Sequence, residues 1–211
     1  MSELSSAVLP HDLLWGMPLS ALPDDAPDWA VEAVLASRPV VVRRQVVAAG
    51  QVAVGLRGRT REQRYAAIMA CADIHRRVSP EHLVDARVDC LRDWPALRAL
   101  RQVRPIMDSL GLSWGVGGSA GFELASGFSA LHQHSDLDLI LRTPRFVDRR
   151  WAAELVEALE TSVCRIDVQM QLEQGAVALR EWARPAGRVL LKSASGARLV
   201  TDPWPLAEVC A

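Results

Sequence analysis

Residues 115–142 read GVGGSAGFELASGFSALHQHSDLDLILR, and the fold turns on this stretch. Leu112 to Val116 suit a short strand, Gly117, Gly118 and Ser119 a turn, and Phe122 and Leu124 a helix behind it. A strand that passes through glycines into a helix outlines a phosphate cradle. Glycine allows close backbone approach, and the first turn of the helix offers unpaired N–H groups at the positive end of its dipole. The plain alternative is a turn that serves geometry alone. Ser135 to Arg142 then alternates, with Leu137, Leu139 and Leu141 on one face and Asp136, Asp138 and Arg142 on the other. Carboxylates at i and i+2 repel each other unless something neutralises them, and Mg²⁺ can do so while bridging to a triphosphate. Taken alone, the pair also suits a solvated strand at a sheet edge.

The flanking sequence completes an α+β pattern. Before the stretch, RPVVVRRQVVAAGQVAVGL (residues 38–56) holds two β-branched runs meeting at Gly50 and Gln51, a pair of strands. Thr60 and Gln63 form a capping-box pair, and Tyr65, Ile68, Met69 and Ala72 recur at helical spacing, which predicts a helix to about Arg77. Residues 1 to about 37, with Pro10, Pro18, Pro23 and Pro27, read as loops and short helical turns. Asp93 is placed to cap a helix bearing Leu97, Leu100, Ile106, Met107 and Leu110, bent at Pro105 and ended at Gly111. Beyond the acidic strand come a helix over about 148–160, the alternating strand CRIDVQMQL (164–172), and a hairpin of RVLLK with ARLVT around Ser195 and Gly196. The division expected is a small α+β lobe over 1–92 and a second lobe over 93–211, a mixed sheet flanked by helices.

Composition narrows the class of function. The chain has 211 residues and a formal net charge of -1, which argues against coating nucleic acid, since that relies on many uncompensated phosphate contacts. No apolar run approaches the ~20 residues of a membrane span, and the start lacks a signal-peptide pattern. Cys71, Cys90, Cys164 and Cys210 form no CxxC pair, so neither a zinc cage nor a disulfide framework is indicated, and a reducing cytoplasm is the expected setting. His132 and His134 have no third ligand at suitable spacing, which argues against zinc. The seven tryptophans are too scattered for a stacking platform and read as packing residues.

A Gly-Ser turn opening a helix, followed by Asp-x-Asp on a strand, resembles the polymerase-β nucleotidyltransferase superfamily; here the motifs are Gly118-Ser119 and SDLDLIL. Sixteen residues stand between Ser119 and Asp136, longer than is usual there. A narrower resemblance takes in GGSAGFELASG, SDLDLIL, the early VVVRR with VAVGLRGRTREQR, and the late ARLVTDPW. Together these are similar to the phosphoribosyl-dephospho-CoA transferases of the malonate decarboxylase system, from about Arg38 to Trp204. That resemblance implies a polymerase-β-like second lobe, with the first lobe available for donor or carrier-protein contacts. It also implies a donor, 2'-(5''-triphosphoribosyl)-3'-dephospho-CoA, an acceptor serine on the apo acyl carrier subunit of malonate decarboxylase, and pyrophosphate as product.

Residue roles follow from the same resemblance. Asp136 and Asp138 would hold Mg²⁺, two ions in all with Mn²⁺ as a substitute, and Asp167 is the candidate third carboxylate on a neighbouring strand, with Glu123 or Asp148 as substitutes. Gly118 and Ser119 are expected at the β- and γ-phosphates. Arg142 is expected to offset charge on the pyrophosphate, unless it salt-bridges Asp136 or Asp138. Lys192 and the run Arg57, Arg59, Arg61 and Arg64 could reach phosphates or an acidic carrier protein, or form a solvated loop. Two other readings share the motifs: an ATP-using nucleotidyltransferase for a small substrate or protein, and a non-catalytic binding module of the same fold.

Overall fold

A computed structural model describes residues 7–60, 62–86, 93–161 and 163–204; Arg61, Cys90 and Cys210 lie outside them. The first lobe comprises β1 (Leu13–Trp15), α1 (Asp28–Leu35), β2 (Val40–Val42), β3 (Gln51–Arg57), β4 (Arg64–Ala70) and β5 (Arg76–Val78). The second comprises α2 (Pro95–Ser109), β6 (Trp114–Val116), α3 (Gly118–Ser126), β7 (Leu137–Arg142), α4 (Arg149–Ala158), β8 (Ile166–Leu172), β9 (Gly175–Ala178), α5 (Leu179–Trp182), β10 (Val189–Ser193) and β11 (Gly196–Val200). The class is α+β, as expected.

The first sheet runs β4-β3-β2-β1-β5, with every pairing antiparallel. Each of its two faces contributes to a core. Leu14, Val54, Leu56 and Met69 join α1's Ala30 and Ala33 in one core, whereas Leu13, one residue earlier, belongs to the core of the second lobe. Successive strand residues point to opposite faces, so the three-residue β1 serves both cores. Asp12, fully buried beside it, is ion-paired to Arg77 at 2.6 Å. Without that guanidinium the carboxylate would be very costly to bury.

Two expectations are corrected here. Thr60–Arg77 is not a helix: Arg64–Ala70 is strand β4, paired along its length with β3. Gln63 does accept hydrogen bonds from the Arg59 and Thr60 N–H groups, at 2.7 and 3.2 Å, but these close a tight turn between strands. Tyr65, Ala67 and Met69 turn inward at every second position while Ile68 is exposed, and β3 supplied the hydrogen-bond partner for that alternation, so pairing overrode local propensity. The N-terminal stretch likewise contains β1, hydrogen-bonded between β2 and β5.

In the second lobe the sheet order is β11-β10-β9-β8-β7-β6, and only β7 and β8 are parallel. Leu137, Leu139 and Leu141 are wholly buried, on the face the alternation assigned to the core. Helices α2 and α3 pack on β7, and α5 on β8. Helix α2 begins after Trp94, with Pro95 as its first residue; Asp93 holds Arg98 and Arg101 and does not cap. Near the end of the described chain, Trp182 and Trp204 pack with ring centroids 5.1 Å apart and planes tilted by 57°, consistent with tryptophans as packing residues.

Gly115 on β6 is pressed against the turn at Pro80–Leu83, where an added Cβ would overlap the Pro80 carbonyl and the Glu81 nitrogen. Gly115→Ala should cost about 1–3 kcal/mol, the usual range for overpacking against backbone, read as a lower urea midpoint with unchanged slope. An unaltered midpoint would show that this contact does not hold the turn in place.

Candidate active site

The antiparallel register of β6 and β7 ends with the Gly117 N–H donating to the Asp138 carbonyl at 2.9 Å. That bond brings the start of α3 alongside Asp138. Gly118 takes the left-handed conformation, φ 57°, and a Cβ there would overlap the Asp138 carboxylate. Glycine is needed at this point for both backbone and space. The turn and the acidic strand, read separately from the sequence, are one contact in the fold.

The parallel register of β7 and β8 sets Asp138 directly opposite Asp167, and paired residues share a sheet face. Both line a cleft of about 590 Å³ together with Gly118 and Lys192, so four of the seven sequence candidates meet in one cavity. Asp136 lies one residue before β7 and is not part of this lining. Arg165 donates from Nε to Asp167 at 2.9 Å. Among the described residues, no three His, Cys, Asp or Glu side chains converge on one point as a metal cage. The substitute acids are engaged elsewhere: Glu123 accepts from the Ala130 and Leu131 N–H groups at 2.7 and 2.8 Å, and Asp148 caps α4 through the Trp151 N–H at 2.7 Å.

The cations arrive from both lobes. Arg142 pairs with Glu81 at 2.7 Å, not with Asp136 or Asp138, and its Nη2 is buried without a hydrogen-bond partner. Burial alone would raise the Glu81 carboxyl, but the bonds from Arg142 and Ser79 hold it below its ordinary range. Arg57 does more than line a solvated loop. It crosses from β3 to donate to Ser119 Oγ and to the Ala130 carbonyl, and lies 5.5 Å from the Phe122 ring centroid. Burial and then Arg64 push it down to about 10, while Asp138 and Glu123 act in the opposite direction.

Sequence reasoning missed His11, which lines both this cleft and a second one of about 520 Å³ between the lobes. Its backbone is left-handed, φ 77°, a strained setting for a residue with a Cβ. One side of the ring is tied to Gln169, itself bonded to Gln171, which accepts from Arg44; Nε2 is buried with no hydrogen-bond partner. Burial first, then Arg44, Arg142 and Lys192, push His11 down to about 4 against the Gln169 bond, so the imidazole is neutral. No local pattern in the sequence marks a lone histidine after Pro10.

Fold and site together define a two-lobed α+β protein whose polar centre lies where a glycine turn meets two strand-borne carboxylates. The chain belongs to the phosphoribosyl-dephospho-CoA transferase family: the model described as phosphoribosyl-dephospho-CoA transferase MdcG C-terminal domain matches residues 82–203, and the corresponding N-terminal domain matches residues 9–80. It is 74% identical over 211 residues to a phosphoribosyl-dephospho-CoA transferase of Pseudomonas syringae pv. tomato, covering all of both chains. It is 57% identical to one of Pseudomonas fluorescens (strain Pf0-1), covering 96% of this chain and 98% of that one. For Azotobacter vinelandii the identity is 54%, over 97% and 98%. No solved structure matches.

Because His11 takes a proton near 6.5 when unfolded but only near 4 when folded, the unfolded chain binds more protons between those values. Stability contributed by the neutral ring is therefore complete above pH 6.5 and falls as pH drops towards 4, by about 2 kcal/mol at pH 5. Urea unfolding at pH 7 and pH 5 should show this loss in the native chain and a smaller one in His11→Asn; equal losses would remove His11 as the cause. Gly118→Ala should destabilise by at least about 1 kcal/mol, the cost of a left-handed alanine, and a crystal structure should show the Asp138 carboxyl displaced. An unmoved Asp138 would contradict the packing described above.

Proposed function

We propose that this chain transfers a phosphoribosyl-dephospho-CoA group from 2'-(5''-triphosphoribosyl)-3'-dephospho-CoA to a serine of the apo acyl carrier subunit of malonate decarboxylase, releasing pyrophosphate. The observation that carries the reading is the contact of Gly118 with Asp138, beside the in-register Asp167, in a chain matched from end to end by a relative named phosphoribosyl-dephospho-CoA transferase. On this reading the 93–211 lobe performs the chemistry and the 1–92 lobe contributes donor or carrier contacts. No described helix is long and apolar enough to cross a membrane; a cytoplasmic setting is part of the proposal.

The donor's β- and γ-phosphates meet the amides at the start of α3, where the helix dipole favours negative charge, while the absence of a side chain at Gly118 lets the Asp138 carboxylate sit against the turn. The serine oxygen bonds to the α-phosphorus as the bond to the oxygen bridging the β-phosphate breaks, and pyrophosphate departs with that oxygen. The hydroxyl proton passes to a carboxylate of the Asp138–Asp167 pair. Lys192, in the same cleft, offsets the charge on the departing group. Asp138, Asp167 and the nearby Asp136 offer the hard oxygen donors that Mg²⁺ prefers. When bound, the metal supplies neutralisation of the triphosphate and polarisation of its phosphoryl oxygens.

Mass spectrometry of the apo carrier subunit, after incubation with this protein, Mg²⁺ and the triphosphoribosyl donor, should show a gain equal to phosphoribosyl-dephospho-CoA. EDTA should abolish the gain, and folded Asp138→Ala should slow it about a hundredfold or more, the scale of losing one preorganised electrostatic contact. Adenylylation of the carrier from ATP alone would replace the proposed donor, and full activity in the variant would remove Asp138 from the chemistry.

A further inference from the structure

The second cleft, about 520 Å³ between the lobes, takes no part in the chemistry at Asp138. Its floor is a single row of strand partners: Leu13 faces Val41, Val41 faces Gly55, and Gly55 faces Ala66. Residues paired in this way stand on one sheet face, and all four line the cleft. Towards the edge strand β4 the row shrinks to glycine and alanine, leaving a flat apolar shelf. The next pair on this face, two residues along the strands, is Arg57 with Arg64. On the other side Arg43 lays its methylenes against Gly55, 3.3 Å from where a Cβ would be. Across the cleft stand Phe122 and the start of α3 at Gly118.

Such a shelf suits a planar ring, and a guanidinium rim suits a diphosphate, which planar forks bind in bidentate fashion. The size is within the range of small-molecule sites, about 300–1,000 Å³. The cleft also meets the carboxylate cleft at His11 and Gly118, which line both, so one elongated ligand can occupy the two. We propose that the interlobe shelf binds the dephospho-CoA portion of the donor, its purine over Ala66 against the Arg43 side chain and its diphosphate at Arg64, while the triphosphate arm passes Gly118 to Asp138. This rests on the transfer reading above, and adds where the group that does not react is held.

Dephospho-CoA itself, which has no triphosphate and cannot react, separates binding from chemistry. Calorimetry should show that it binds the native protein and, in the transfer assay, that it competes with the donor. Ala66→Trp, at an exposed strand position, should weaken dephospho-CoA and raise the donor KM by about tenfold or more, a loss of about 1.4 kcal/mol, with kcat little changed. Binding of inorganic tripolyphosphate should be unaffected. Arg43→Ala removes an exposed side chain and should weaken dephospho-CoA several-fold, which keeps the test decisive if the tryptophan variant fails to fold. No binding of dephospho-CoA to the native protein, or undiminished binding in the folded variants, overturns the shelf while transfer by the native protein stands on its own assay. Binding lost in the variants, with no transfer by the native protein, keeps the shelf and defeats the transfer reading.

Discussion

The parallel pairing of β7 with β8 is the constraint on which the site depends. It sets Asp138 against Asp167 at one level of the sheet, an arrangement that electrostatics alone opposes. Three surrounding features make it tenable. Arg165 neutralises Asp167, the start of α3 turns its positive end towards Asp138 at Gly118, and Arg57 adds a partly desolvated cation nearby. The leucines on the reverse of β7 hold the strand in register, because a slip by one residue would expose Leu137, Leu139 and Leu141 and bury the carboxylates.

The second organising feature is a sheet shared between two cores. With Leu13 in one and Leu14 in the other, β1 couples the lobes through side chains separated by one peptide unit. Polar contacts follow the same seam: Arg57 to Ser119, Arg44 to Gln171, Arg142 to Glu81. Each would be weak on the surface, and each gains from partial burial. This seam also carries the second cleft, of which the first lobe forms one wall.

Much of the second lobe was legible from sequence, and for identifiable reasons. The alternation from Leu137 to Arg142 and from Ile166 to Leu172 is strong because each strand has a wholly apolar side. The glycine turn before α3 was equally plain, since few residues other than glycine tolerate its geometry. Of the candidate residues, Gly118, Asp138, Asp167 and Lys192 share a cavity, and Asp136, Ser119 and Arg142 do not line it. Arg142 does share a sheet face with Asp138, but the salt bridge to Asp136 or Asp138 that the sequence offered as one alternative is not formed, because Glu81 takes that place. Glu81 lies in another part of the chain, brought close only when the turn after β5 settles on Gly115. The segment 64–70 failed because short apolar runs fit both periods, and the deciding hydrogen bonds come from β3.

Taken alone, the sequence determined the α+β class, the helix and strand identity of most of the second lobe, and the pairing of a glycine turn with an acidic strand, because these depend on local periodicity and on the conformations individual residues allow. Tertiary structure decided that β4 is a strand, that Asp167 stands opposite Asp138, that Arg57 reaches Ser119 and that His11 lines the carboxylate cleft. These facts depend on register and on contacts between separate segments, 62 residues apart for Arg57 and Ser119. No local propensity encodes them. They arise when two sheets must cover the same apolar surface and bring their polar edges together.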